Sequence, residues 1–292
     1  MKSNKRRLDL LLVEKGLAET RERARRMILA GEVRDAKGHS LTKAGMLVPD
    51  DSPLEVKGDT CRYVSRGGLK LEAALKHFQV APTGFVCADL GCSTGGFTDC
   101  LLQHGAARVF AVDVGKGQLH YRLRQDSRVH LLERVNARHL TREHLPEPLD
   151  LVVCDLSFIG LGKVIPGVVQ FLKPSGEILA LIKPQFEAGP RQVGKGGIVR
   201  DPKIHTRVLE NLGEEFPAWG LQPQGLIPSP IRGADGNVEF LTLLDPLSQR
   251  SEISKSVWSS WVERAVRDAW SANPQTLPVE EGIKLDPDGE GV

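Results

Sequence analysis

The sequence predicts an α/β protein whose main body is a mostly parallel seven-stranded sheet, preceded by a small α+β module. Three observations carry that expectation. From Phe85 onward, short apolar runs alternate with segments of helical periodicity, the pattern of strands joined by crossover helices. The first run, FVCADLGCSTGGF from Phe85 to Phe97, ends in Asp89 and opens into a glycine-rich turn. At such junctions α/β folds offer backbone N–H groups and a helix N-terminus to a ligand. Ahead of it, residues 1–60 carry their own glycine-stopped helices and a charge of their own.

The chain has 292 residues, enough for about two domains. Its apolar fraction of 40% and charged fraction of 26% are those of a soluble globular protein. No apolar run approaches the roughly 20 residues that span a membrane. The N-terminus is basic and then briefly apolar, but Glu14 and Lys15 stop that run. No small-residue cleavage site follows, so no signal peptide is expected. Five cysteines without a C-x-x-C pair, three of them in or beside apolar strands, suit reduced packing residues in the cytoplasm. The net charge of +2 is unevenly spread. Residues 1–70 hold 16 Lys/Arg against 10 Asp/Glu, whereas the tail from Pro274 holds one Lys against five acids. A basic amino-terminal module fits a polyanionic partner.

Within that module a first helix is expected from Leu8 to Lys15, stopped by Gly16, and a second from Thr20 to Ala30, stopped by Gly31. Ala24, Met27 and Ile28 recur at helical spacing and should face inward, leaving Arg21, Arg23, Arg25 and Arg26 outside. Short β-like pieces follow at Glu32 to Arg34 and Leu54 to Val56. Gly58 to Cys61 reads as a linker. The main domain, residues 61–250, opens with VSRGGLKL, in which Ser65 can cap a helix carrying Lys70 on its first turn. A lysine there opposes the helix dipole, a hint that it serves a site.

The expected strands are Phe85–Leu90, Arg108–Val112, Val129–Arg134, Leu149–Cys154, Glu177–Ile182, Gly225–Pro228 and Asn237–Leu244. Helices are expected near Phe97–His104, Lys116–Leu123, Leu161–Leu172 and Lys203–Phe216. The short connection Ser229 to Gly236 makes the last two strands an antiparallel hairpin. Residues 251–273 should form a C-terminal helix with Ile253, Val257, Trp261, Ala265 and Ala269 on one stripe. Residues 274–292, acidic and rich in Pro and Gly, should be disordered.

Ligands in open α/β sheets bind at the carboxyl ends of the strands. After the first strand stand Asp89, Gly91, Ser93, Thr94, Gly95, Gly96 and Phe97. The spacing matches neither the dinucleotide fingerprint nor the P-loop. After the second strand stands Asp113, where an acid can accept both hydroxyls of a ribose. After the third stands Asn136, placed for an adenine edge. Asp155 follows the fourth, Lys183 the fifth, and Glu239 lies on the last strand. Lys70, Asp155, Lys183 and Glu239 are thus four ionisable groups expected at one sheet edge. His139 and His144 lack metal-ligand spacing, and no metal is implied.

Several of these stretches resemble known families. The turn D-x-G-x-x-x-G at Asp89 resembles the first motif of class I (Rossmann-like) methyltransferases, which implies S-adenosylmethionine as cofactor. The order R-L-D-x-x-L-V-x-x-G, A-x-x-x-I-x-x-G-x-V, D-x-x-x-x-V in the amino-terminal module resembles the S-four-type RNA-binding domain. That likeness implies RNA contacts from Arg6, Arg7, Arg21, Arg23, Arg25 and Arg26, and Arg66 and Lys195 are expected to contact RNA as well. The order Lys-Asp-Lys-Glu resembles the tetrad of FtsJ-like ribose 2′-O-methyltransferases. VSRGGLKL, DLGCSTGGFT, VDVGKGQL, CDLSFI, LIKPQFE, GKGGIVRD and SPIRGADGNVEF together resemble the TlyA family of rRNA methyltransferases over residues 6–245. Cys92 in the turn and the Trp-bearing helix after Pro246 depart from that pattern.

The resemblance implies methylation of a ribose 2′-hydroxyl, of cytidine, in ribosomal RNA within ribosomal subunits. In-line transfer from a sulfonium rests heavily on positioning. Lys183 would take the hydroxyl proton, its own proton loosened by burial and by Lys70; Asp155 and Glu239 would orient the lysines, Asp155 would also bind the cofactor near its sulfonium, and Lys70 would favour developing negative charge. The segment Ala188 to Arg200 suits either a lid that orders over RNA or a plain flexible loop. Two other classes stand beside this one. A non-catalytic ribosome-assembly factor would lack an intact tetrad. A haemolysin, a name also given to members of this family, would need a membrane-active segment, and the sequence offers none in its core. Oligomeric state is not legible.

Overall fold

A computed structural model describes residues 5–18, 21–29, 31–56, 62–194, 196–233, 235–247 and 253–271. Lys195, the linker to Cys61, the tail after Pro274 and the side chain of Arg26 lie outside the described residues. The chain divides into two compact units, Met1–Arg66 and Gly67–Val292.

In the first unit β1 (Lys5–Arg7) runs directly into α1 (Leu8–Glu14), followed by α2 (Arg21–Leu29), β2 (Val33–Asp35), β3 (Leu47–Pro49) and β4 (Leu54–Val56). β1 pairs antiparallel with β3, and β2 with β4. The apolar periodicity of the helices closes the core: Leu8, Leu11 and Leu12 meet Ala24, Met27 and Ile28, with Val33 and Val48 beneath. Gly16 at φ +67° and Gly31 at φ +71° end the two helices in the left-handed region, where a side chain is strained.

The second unit runs α3 (Gly67–His77), β5 (Val86–Leu90), α4 (Gly96–Gln103), β6 (Arg108–Asp113), α5 (Tyr121–Arg124), β7 (Val129–Glu133), β8 (Leu149–Cys154), α6 (Ile165–Val168), β9 (Leu172–Ile182), α7 (Pro184–Glu187), α8 (Pro202–Glu215), β10 (Leu221–Pro228), β11 (Phe240–Pro246) and α9 (Lys255–Ser271). Its seven strands lie in the order β10-β11-β9-β8-β5-β6-β7. The pairings from β9 through β7 are parallel, and β11 runs antiparallel to both neighbours, so one strand is reversed. Leu151–Cys154 of β8 and Ile178–Ile182 of β9 read as unbroken apolar runs because helices cover both faces of the sheet. Phe171, Leu209, Phe216, Trp258 and Val262 fill that cover.

Several elements differ from expectation: β9 and β10 start earlier, at Leu172 and Leu221, and β11 starts later, at Phe240, so Glu239 precedes the last strand instead of lying on it. The helix expected over Leu161–Leu172 is instead two 3₁₀ turns around the four-residue α6. Gly162, Pro166 and Gly167 explain it: proline lacks the N–H of a continuing helix, and glycine gives up the most entropy in one. α5 starts late, at Tyr121, where the His120 side chain accepts the Arg122 N–H as a cap. The buried stripe of α9 is Trp258, Val262, Ala265, Val266 and Ala269, while Val257 is exposed. A Trp258 Nε1 bond to the Leu209 carbonyl at 3.1 Å fixes that rotation. Cys87, Cys92, Cys100 and Cys154 are all buried and unbridged.

Candidate functional site

The turn between β5 and α4 is shaped by close approach. Gly91 and Cys92 donate their N–H groups to the Val112 carbonyl at the end of β6, at 2.9 and 3.1 Å. Gly91 has φ +86°, and a Cβ there would lie 2.5 Å from the Asp155 carbonyl oxygen, so no other residue fits. Gly95, at φ +97°, is the N-cap of α4, and Ser93 also adopts positive φ. Asp89 is fully buried and accepts a hydrogen bond from Thr98 Oγ1 at 2.6 Å. Burial pushes its carboxyl up to about 7. Asp89 and Phe97, both expected at the ligand, are buried, and Asp89 holds the first turn of α4 through Thr98.

Asp113 ends β6, and each of its oxygens holds one backbone N–H, Ser93 at 2.8 Å and Gly115 at 2.7 Å. A carboxylate oxygen has a second lone pair, so both remain able to accept a ribose hydroxyl. Asn136 spends its carbonyl capping a 3₁₀ turn at the Arg138 N–H, 3.0 Å, which leaves its amide N–H groups for a base edge. Tight glycines, a helix N-terminus and a doubly accepting acid suit a nucleoside-bearing cofactor.

Beside this turn the four expected ionisable groups form two ion pairs. Lys183 Nζ lies 2.6 Å from Asp155 Oδ1 and donates to Ser157 Oγ at 3.0 Å. Lys70 Nζ donates to Glu239 Oε2 at 2.5 Å, with both side chains buried. Strand register brings the pairs to one edge. Phe240 pairs with Ile182, so Glu239 and Lys183 leave the sheet opposite each other, and Cys154 beside Ala180 sets Asp155 on the next strand.

In the first unit Arg21 and Arg25, both expected to face outward, are exposed, yet together with Arg7 they reach back to one buried acid. Asp9 accepts Arg7 Nε and a second Arg7 nitrogen at 3.0 Å each, and Arg21 Nε at 3.0 Å; Arg25 Nε stands 3.8 Å away. The Arg7 bonds hold the Asp9 carboxyl well below the usual carboxylate range. Arg6 pairs with Glu14 at 2.6 Å and Asp50 at 3.3 Å, Arg23 is exposed, and Arg66 is half-buried.

Comparison with known proteins gives the same two-part division. Residues 63–245 match the model of FtsJ-like methyltransferases, and residues 6–34 match the S4 domain. A Mycobacterium tuberculosis protein named 16S/23S rRNA (cytidine-2′-O)-methyltransferase TlyA is 43% identical over 92% of this chain and 98% of its own. The chain belongs to the TlyA family. Another relative, Hemolysin A of Brachyspira hyodysenteriae, is 40% identical over 80% of this chain and 98% of its own. A solved structure from Streptococcus thermophilus, labelled a hemolysin, is 41% identical and covers 90% of this chain and 96% of its own, with a TM-score of 0.70. Among the described residues no helix is long and apolar enough to cross a membrane.

Sequence reasoning missed two features of this TlyA-family methyltransferase. Ser157 accepts from Lys183, and nothing in CDLSFI sets that serine apart. Phe158 is 91% exposed, adopts φ +64°, and meets Phe186 at 5.2 Å between ring centroids. Lys183 Nζ stands 5.9 Å from the Phe186 ring. Only the fold shows that this phenylalanine avoids the core.

Proposed function

We propose that this protein methylates the ribose 2′-hydroxyl of a cytidine in ribosomal RNA, acting on ribosomal subunits in the cytoplasm with S-adenosylmethionine as donor. The observation that carries the proposal is the meeting of Lys70, Asp155, Lys183 and Glu239 at one sheet edge beside the glycine turn. The name of the M. tuberculosis relative supports the same substrate. Gly91, Ser93, Thr94, Gly95 and Gly96 would hold the cofactor's amino-acid end, Asp113 its ribose and Asn136 its adenine. When bound, the cofactor supplies an electrophilic methyl group on a sulfonium.

The remaining work falls to side chains of this chain. Lys183 in its neutral form accepts the proton leaving the 2′-oxygen, and Asp155 at 2.6 Å holds the resulting ammonium in place. Lys70, fixed by Glu239, faces the negative charge that grows on that oxygen. Phe158 and Phe186 offer ring faces to the unstacked target base, and sequence-specific RNA recognition uses such faces. The arginines around Asp9 offer guanidinium groups to RNA phosphates.

Ribosomal subunits incubated with methyl-labelled S-adenosylmethionine test the proposal. Label should appear on a ribose oxygen with the wild type and disappear with Lys183→Ala. Label on a base, or undiminished label with the variant, overturns it.

A further inference from the structure

Asn237 is a buried polar side chain that the chemistry above leaves unused. It is 2% exposed. Its Oδ1 accepts the Val199 N–H at 3.0 Å, and its Nδ2 donates to the Gly197 carbonyl at 2.9 Å. One side-chain amide therefore pairs with the backbone of Gly197–Val199 as a neighbouring strand would. That segment lies between α7, which opens directly after Lys183, and Asp201, the N-cap of α8.

The chain around Asn237 is held as firmly. Gly233 donates its N–H to the Asn237 carbonyl at 3.0 Å, and Ser229 donates its N–H to the Glu239 carbonyl at 2.8 Å. Ser229 Oγ closes the other side on the Ile231 carbonyl at 2.7 Å. Two residues beyond Asn237 stands Glu239, whose carboxylate lies against Gly233: a Cβ at position 233 would come 2.6 Å from Glu239 Oε1. The carboxylate facing Lys70 thus rests on a loop whose far side is fastened, through Asn237, to Gly197–Val199 ahead of α8.

We propose that Asn237 is a positioning residue for catalysis: by pairing with Gly197–Val199 ahead of α8 it braces the loop that carries Glu239, and so holds the carboxylate facing Lys70 in place beside the Lys183–Asp155 pair, whose backbone offset strand register already sets. This inference rests on the tetrad assignment under Proposed function. A misplacement of about 1 Å in a catalytic constellation costs about a hundredfold in rate, so a slack joint should show in turnover before it shows in binding.

The test uses the full-length chain, ribosomal subunits and labelled S-adenosylmethionine. Asn237→Ala should lower kcat about tenfold or more while the cofactor Kd, measured by calorimetry, stays within about twofold. Gly233→Ala, which leaves the Asn237 bonds in place and presses on the Glu239 carboxylate, should reproduce the fall in kcat. The deciding comparison is the pair Asn237→Ala and Glu239→Gln. If Asn237 acts through Glu239, the double variant turns over no more slowly than Glu239→Gln alone. Multiplied losses, or an Asn237→Ala variant with wild-type kcat, overturn the inference. Full activity in both Lys183→Ala and Glu239→Gln would instead overturn the tetrad itself, a different result.

Discussion

The Lys70–Glu239 pair allows stability to be separated from catalysis. The Lys70 side chain is 10% exposed and that of Glu239 3%, with 2.5 Å between Nζ and Oε2. Replacing Lys70 by Met keeps the side-chain volume but leaves a buried carboxylate without its cation. Breaking a buried pair in this way costs about 3–5 kcal/mol, whereas replacing both partners by neutral groups of similar size is often nearly neutral. For a unit of this size each kcal/mol moves the melting temperature by about 2–4 °C, so Lys70→Met should melt roughly 6–20 °C below wild type. The double variant Lys70→Met/Glu239→Gln should recover most of that loss. Neither should methylate RNA. Differential scanning calorimetry on the full-length protein, with methyl transfer measured in parallel, checks both halves. A Lys70→Met variant that melts within about 2 °C of wild type, or a double variant no more stable than the single, would show that the pair is screened by water and that the burial argument is wrong.

Four more outcomes are expected. Gly91→Ala forces a Cβ toward the Asp155 carbonyl at positive φ, should cost about 1–3 kcal/mol in stability, and should weaken cofactor binding by calorimetry; unchanged affinity counts against the turn as the cofactor site. Phe158→Ala should leave the melting temperature unchanged yet lower kcat/KM for RNA roughly 5- to 150-fold, the value of about 1–3 kcal/mol of base stacking, and equal kinetics would remove Phe158 from the site. Burial raises the Glu187 carboxyl from 4.5 to about 7 while its Oε1 accepts the Leu161 N–H at 2.9 Å. Because the folded state then holds a proton the unfolded state lacks, wild-type stability falls as pH rises through that window. Glu187→Gln should therefore melt higher than wild type above pH 7 and lose the advantage below about pH 4.5; parallel melting curves would contradict this. Asp9, whose carboxyl is held low by Arg7, contributes stability that is present above the ordinary carboxylate range and lost as pH falls through it. Asp9→Asn should thus melt below wild type at pH 7, with the difference narrowing below about pH 4.

The central strands of the second unit were legible because their two covered faces leave mostly apolar runs, and Leu149–Cys154 was placed to the residue, whereas the starts of β9, β10 and β11 were missed by three to five residues where polar residues, proline or glycine interrupt the pattern. β1 was not legible: Lys-Arg-Arg has no apolar alternation and becomes a strand only by pairing with β3. The break at α6 was written in Gly162, Pro166 and Gly167, but the apolar spacing around them masked it. The four candidate catalytic groups could be picked out because each falls at a strand end or a helix start. Their pairing could not, since it depends on the register that sets Phe240 opposite Ile182. Nor could the burial of Asp9, which turns a motif letter into the hub of an arginine cluster.

The four enclosed sulfurs of the second unit give this protein an internal clock. Burial pushes the Cys87 thiol up to about 12 and raises those of Cys92 and Cys154 as well, so the thiolate that alkylating reagents attack is scarce while the sheet is closed. In a Cys61→Ser background, pulse labelling followed by peptide mass analysis would time two separate excursions. Modification of Cys87 and Cys154 counts openings of the central strands, and modification of Cys92 counts openings of the glycine turn alone.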